Sequence, residues 1–369
     1  MRFLEIERAT CEAFLPGLLA RLGELPLTVK EAPDGPTIDL FRAHGGTNLL
    51  VPAERGGAGA SALDAARVVR ALGSTAPSLA VGTMMHHFSL GSLLAVAELV
   101  GPGTPLDGVL AEIAADRLLL ASGFAEGQVG QGILRPGMRA EAVDGGYLVN
   151  GSKKPCSLSR SMNLLTASVE VGGGMGLLLL PAGTPGLSVH PFWGSPVLAG
   201  AESDEIRLTD VFVTDEQLLR STPGLADRAY ELQTVGLVWF QMIVCAAYTG
   251  IVSALVDRVL ARGRGDAALV ARVESAAALT EGLARRIDLG DTGNDALAAA
   301  LVVRHAVREA LTRTVDDAVE LLGGMAFVSS PDVAYLAAAS HAVAFHPPSR
   351  AASAERLLDY YAGHQLVIA

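Results

Sequence analysis

The sequence predicts an α+β chain in three successive parts: a helical part over residues 1–115, a β part over 116–220 and a second helical part over 221–369. Three observations carry this. Apolar residues recur every three or four positions in Cys11–Leu22, Ala62–Leu72 and Leu90–Val100, the repeat of helices with one buried face. From about Leu118 to Leu219 the repeat shortens toward two. It does so in Tyr147-Leu148-Val149 after the turn Asp144-Gly145-Gly146, and in Leu164–Glu170 before Gly172-Gly173-Gly174. Beyond Leu225 helical segments return, broken near Gly263 and Gly265, between Gly290 and Asn294, and at Gly323-Gly324.

Composition narrows the function classes. Half of the 369 residues are hydrophobic, yet aromatics make up only 5%, so Ala, Leu and Val runs such as Ala296–Val303 favour helices packed through small side chains. A net charge of −11 argues against nucleic acid or an anionic membrane as the main partner, since both are polyanions. The three cysteines, Cys11, Cys156 and Cys245, have no CxxC spacing, so neither a zinc site nor a disulfide framework is expected and a reducing cytoplasm is the simple reading. Met1–Glu7 alternates charged and apolar residues like an amphipathic helix rather than a signal peptide. The apolar run near residue 245, interrupted by Gln241, reads as too short and mixed to span a bilayer. Strands do not alternate with helices, and no GxGxxG opens a helix after a strand, so a nicotinamide-binding doubly wound sheet has little support.

Six local motifs, in order along nearly the whole chain, resemble the acyl-CoA dehydrogenase superfamily. Leu49–Gly59 is similar to its "VPxxxGGxG" segment, and Val81–His87 falls where a histidine-bearing helix approaches the active site in some members. Ala121–Gln131 resembles the "TEPxxGS" loop over the flavin, with Ala125 in place of threonine and Gln131 in place of serine. Asp144–Lys154 resembles the "dGgyvlnGxK" hairpin, followed by Pro155-Cys156-Ser157 at the "WIT" position. Trp193–Val213, with Ser203–Ile206 followed by Asp210–Val213, is similar to the strands that close the β domain, and Glu320–Phe327 to "xxLGGxGy". The resemblance implies an N-terminal helical domain, a central antiparallel β-barrel and a C-terminal four-helix bundle. It implies FAD held by Phe124, Ala125, Gly130, Gln131, Pro155, Ser157, Gly323 and Gly324, and a homodimer or homotetramer.

The chain departs from the family at the base. The glutamate that most members carry about six helical turns after the double glycine falls at Phe345-His346-Pro347-Pro348, and the alternative position on the first long C-terminal helix is Phe240, beside Gln241. Histidine titrates near neutral pH without perturbation, so His346, His86 and His87 are the candidate catalytic residues, while His341 on an apolar helix reads rather as packed core. Glu355 and Asp359, with Arg350 and Arg356 nearby, read as a solvated, salt-bridged surface. The family's "RxxFG" pyrophosphate segment survives only as Arg262-Gly263-Arg264-Gly265.

Three functions follow from the resemblance. The leading expectation is α,β-dehydrogenation of an acyl thioester of coenzyme A or a carrier protein, using a non-glutamate base and an electron-accepting flavoprotein. The alternatives are a reduced-flavin monooxygenase served by a flavin reductase, which Ser157, His86 and His87 suit better, and a catalytically weak partner-binding subunit.

Overall fold

The computed structural model describes residues 2–127, 136–220 and 229–368. Seven helices precede the sheet: α1 Glu5–Phe14, α2 Leu18–Gly23, α3 Leu27–Lys30, α4 Thr37–Ala43, α5 Ala62–Thr75, α6 Pro77–Val100 and α7 Pro105–Asp116. Helix α5 opens with a capping box, in which Ser61 Oγ accepts from the Asp64 amide and the Asp64 carboxylate accepts from the Ser61 amide. Proline occupies the first turn of α6, where its missing N–H costs no hydrogen bond.

The strands are β1 Leu120–Gly123, β2 Arg139–Val143, β3 Gly146–Cys156, β4 Leu164–Val171, β5 Gly174–Pro181, β6 Leu187–His190, β7 Asp204–Val213 and β8 Leu218–Leu219. They form one curled sheet in the order β6-β7-β3-β2-β4-β5-β8, with β1 added beside β4. The sheet is mixed rather than purely antiparallel as expected, because β1 and β2 both run parallel to β4. Both strands lie on the edge of β4 opposite β5.

The second helical part comprises α8 Ala229–Ala261, α9 Ala267–Asp288, α10 Asn294–Leu322, α11 Gly324–Ser329, α12 Pro331–His341 and α13 Arg350–Tyr361. Its breaks fall at the expected glycines. Helix α8 packs on α9, α10 and α12 and equally on α5 and α6 of the N-terminal part, so the helical parts share one core around it. By length and composition α6 and α8 would each suffice to cross a membrane, which corrects the expectation from the sequence. Most of both apolar spans is nevertheless buried inside the protein, 72% and 89% respectively, and that is where their apolar surface is used.

Close approach of α5 and α8 requires glycine on both. A Cβ on Gly73 would lie 2.5 Å from the Ala247 carbonyl oxygen, and one on Gly250 would run into the carbonyl of Arg70. Overpacking of this kind costs about 1–3 kcal/mol. Gly250→Ala is therefore expected to lower the denaturant midpoint, whereas Ala at Gly282, a helical position with open space around it, should leave it unchanged or raise it. Equal effects of the two substitutions would contradict this crossing.

Candidate active site

The sheet, α6, α8 and the segment 342–347 enclose a cavity of about 510 Å³. Helix α6 contributes Val81, Met85, Phe88, Ser92 and Val96, spaced three and four apart and hence on one face. Helix α8 contributes Gly236, Leu237, Phe240 and Tyr248, and the segment after α12 supplies Phe345, His346 and Pro347. The sheet wall brings Ser122, Phe124, Ala125, Pro155, Ser157 and Ser203. Most of this lining is apolar. Among the described residues no aspartate, glutamate, lysine or arginine lines it.

The sheet wall is held by a buried ion pair. Lys153 Nζ lies 2.6 Å from Glu126 Oε1 and donates also to Ser168 Oγ at 3.1 Å. The Glu126 carboxylate accepts the amides of Gly137 and Met138, and the Ala125 carbonyl accepts the Lys154 amide. Glu126 thereby ties the chain on both sides of residues 128–135 to β3, which fixes Phe124 and Ala125 in the wall. Ser157 Oγ and Ser203 Oγ are 2.9 Å apart, and the buried Ser122 and Ser92 hydroxyls have no hydrogen-bond partner. Orphaned hydroxyls in a cavity wall are groups that a ligand can satisfy.

On the helical side, the Tyr248 hydroxyl and His346 Nε2 are 2.7 Å apart. The His346 ring also meets Phe240 edge-on, at 6.2 Å between centroids, and Gln241 Nε2 donates to the Pro347 carbonyl at 3.2 Å. Behind the pair lies Arg304 of α10, a buried guanidinium that donates to the Val343 carbonyl and makes no ion pair among the described residues. Burial, reinforced by the Arg304 charge, lowers the His346 pKa from 6.5 to about 3. Burial raises that of Tyr248, with Arg304 pulling it partly back. Both side chains are neutral at ordinary pH, so the pair presents hydrogen-bonding atoms without charge.

The expected site residues divide. Phe124, Ala125, Pro155, Ser157 and His346 meet in the cavity. Gly130 and Gln131 lie outside the described residues. His86 and His87 are corrected: they sit on the side of α6 turned away from the cavity. His86 Nε2 is 2.9 Å from the Thr47 carbonyl and its Nδ1 accepts the Leu120 amide at 3.1 Å, while His87 packs against Phe41. His341 is exposed and does not line the cavity. Gly323 and Gly324 lie apart from the cavity, and Arg264 lies beside Gly323. Its guanidinium donates to the carbonyls of Leu321 and Leu322 and would stand 3.6 Å from a Cβ on Gly323. Tyr248 and Arg304 were not anticipated; each lies at a core-facing position of a long helix, which gives no local signal of a site. Among the described residues no cluster of three or more His, Cys, Asp or Glu is placed to hold a metal ion.

No protein-family model matches the chain. Isobutylamine N-hydroxylase of Streptomyces viridifaciens is 50% identical to it over 378 residues, covering 100% of both chains. A putative acyl-CoA dehydrogenase, YdbM, of Bacillus subtilis (strain 168) is 27% identical over 195 residues, 51% of this chain and 49% of its own. Among solved structures, FMN-bound TdsC, a dibenzothiophene monooxygenase from Paenibacillus sp. A11-2, matches with a TM-score of 0.79 at 17% identity, over 100% of this chain and 99% of that one.

The buried His86 and the partly buried His346 give stability a pH dependence. Burial lowers the pKa of His86 to about 4, and that of His346 to about 3, from an ordinary 6.5. The unfolded chain takes up these protons near 6.5 while the folded chain does not, so stability falls as pH drops below 6.5. The slope is up to about 1.4 kcal/mol per pH unit for a fully buried imidazole such as His86. Urea midpoints measured from about pH 7 to pH 4 should decline, and His86→Gln should make the decline shallower. An unchanged slope in that variant would contradict a neutral buried His86.

Proposed function

Since the chain belongs to the acyl-CoA dehydrogenase superfamily, in the family of isobutylamine N-hydroxylase, we propose that it is a reduced-flavin-dependent monooxygenase that hydroxylates the nitrogen of a small aliphatic amine. The observation that carries this reading is the uncharged Tyr248–His346 pair in an apolar cavity, at the position where the sequence resemblance expects a glutamate base.

The sheet wall fits a flavin. A planar ring with apolar faces and a polar edge suits a wall of Phe124, Ala125 and Pro155 beside three serine hydroxyls, of which Ser122 lacks a partner. Those residues would hold the ring, and reduced flavin supplies the electrons by which one atom of O2 goes to substrate and the other to water. The overall balance is amine, O2 and reduced flavin giving hydroxylamine, water and oxidised flavin. A soluble flavin reductase is the partner that such a cycle needs. Gly323, Gly324 and Arg264 are retained as a second phosphate-binding element, meeting the cofactor of a neighbouring copy in a homo-oligomer.

The helical wall receives the substrate. With the Tyr248 hydroxyl hydrogen engaged by His346 Nε2, the phenolic oxygen accepts an amine N–H and leaves the nitrogen lone pair free to react. Phe88, Phe240 and Met85 bury the alkyl group and exclude water. Thioester dehydrogenation is less well supported, because an imidazole with a pKa near 3 is a weak acceptor for a substrate α-proton.

Aerobic incubation with supplied reduced flavin is expected to convert primary alkylamines to hydroxylamines, while acyl thioesters leave protein-bound flavin unbleached under anaerobic conditions. Tyr248→Phe should lower kcat/KM for the amine by about 10- to 100-fold. Bleaching by a thioester without oxygen would overturn the proposal in favour of desaturation.

A further inference from the structure

An aliphatic amine in water near neutral pH is almost entirely ammonium, its pKa being about 10 like that of a lysine side chain. Only the free base has a lone pair to receive oxygen. Many proteins that bind alkylamines hold the ammonium with a carboxylate, and among the described residues none lines this cavity. What the structure places behind the substrate wall is the opposite charge. Arg304 is 6% exposed, donates to the Val343 carbonyl three residues before His346, and its charge acts on both Tyr248 and His346. Its Nη1 has no hydrogen-bond partner and it has no ion-pair partner among the described residues. A buried cation left without a counter-charge is destabilising by itself, so its presence behind a cavity calls for a role there.

The titratable and polar groups that interact with Arg304 come from three elements: helix α8 contributes Cys245, which hydrogen-bonds to it, and Tyr248, the segment after α12 contributes the Val343 carbonyl and His346, and α10 itself contributes His305 and Arg308. None is a carboxylate, so nothing within this set cancels the guanidinium charge. An ammonium entering the cavity would lose its hydration, find no anion and be repelled by Arg304. The neutral amine meets only the uncharged acceptor pair.

We infer that the cavity is charge-selective: it takes the amine in its unprotonated form, with Arg304 rejecting the ammonium and the Tyr248–His346 pair receiving the free base. The inference rests on the amine reading above. Arg304 is a selectivity and positioning residue, acting through the pair rather than touching the reacting atoms. The proton of the ammonium is left in bulk water before binding, not transferred to the protein.

Binding separates this from ordinary amine recognition without relying on turnover. Calorimetric titration of the full chain with isobutylamine from about pH 7 to pH 9 should show the apparent Kd falling about tenfold for each pH unit, in step with the free-base fraction. The neutral isostere isobutanol should bind with an unchanged Kd. Arg304→Met should flatten the isobutylamine slope, and Arg304→Lys should restore it. A Kd for isobutylamine that does not change with pH in the wild type overturns the inference whatever the variants do, including a Met variant that fails to fold. Failure of the underlying reading looks different: no hydroxylamine is formed at any pH with reduced flavin supplied. Hydroxylamine formation with a pH-independent Kd would leave the amine reading standing and sink charge selection alone.

Discussion

The close crossing of α5 and α8 at Gly73 and Gly250 is the constraint on which the rest of the structure depends. With no side chain on either helix at that point, their backbones approach to contact, and α8 sinks into the middle of the protein with α6, α9, α10 and α12 packed around it. Residues 242–256 of α8 are almost wholly inaccessible to solvent. Tyr248 stands two residues before Gly250, so the crossing fixes the depth at which its hydroxyl meets the cavity. Its hydrogen bond to His346 in turn holds the segment after α12 over the cavity, together with Gln241 on the Pro347 carbonyl.

A buried guanidinium completes this arrangement. Arg304 holds the Val343 carbonyl and faces Tyr248 and His346 without an opposing carboxylate among the described residues. At the position where the resemblance expects a glutamate, this chain has an imidazole whose pKa is lowered by burial and by a nearby cation. Removal of a proton from carbon needs a base, whereas the proposed oxygen transfer to nitrogen needs a free lone pair and an excluded solvent.

Much of the fold was legible in the sequence because its signals are local. The change of apolar period near Leu118 and the glycines at 263, 290 and 323 fall at real element boundaries, since chain punctuation depends on neighbouring residues. The mixed character of the sheet was not legible, because the parallel pairing of β1 and β2 with β4 joins segments far apart in sequence. In the site, Phe124, Ala125, Pro155 and Ser157 followed from motif position, and His346 from the place of a missing glutamate. His86 and His87 fit a catalytic role only if the rotation of α6 is ignored. One hundred degrees per residue turns them from the face that bears Met85 and Phe88. Tyr248 and Arg304 lie 56 residues apart on two different helices, and a pairing of that kind leaves no trace in either local pattern.

The most direct test of the account is the origin of the oxygen atom in the product. Turnover of isobutylamine with supplied reduced flavin under an ¹⁸O-labelled oxygen atmosphere should give a hydroxylamine carrying one labelled atom, with none acquired from labelled water. A product without the label, or an unsaturated acyl thioester formed with no need for oxygen, would contradict the account.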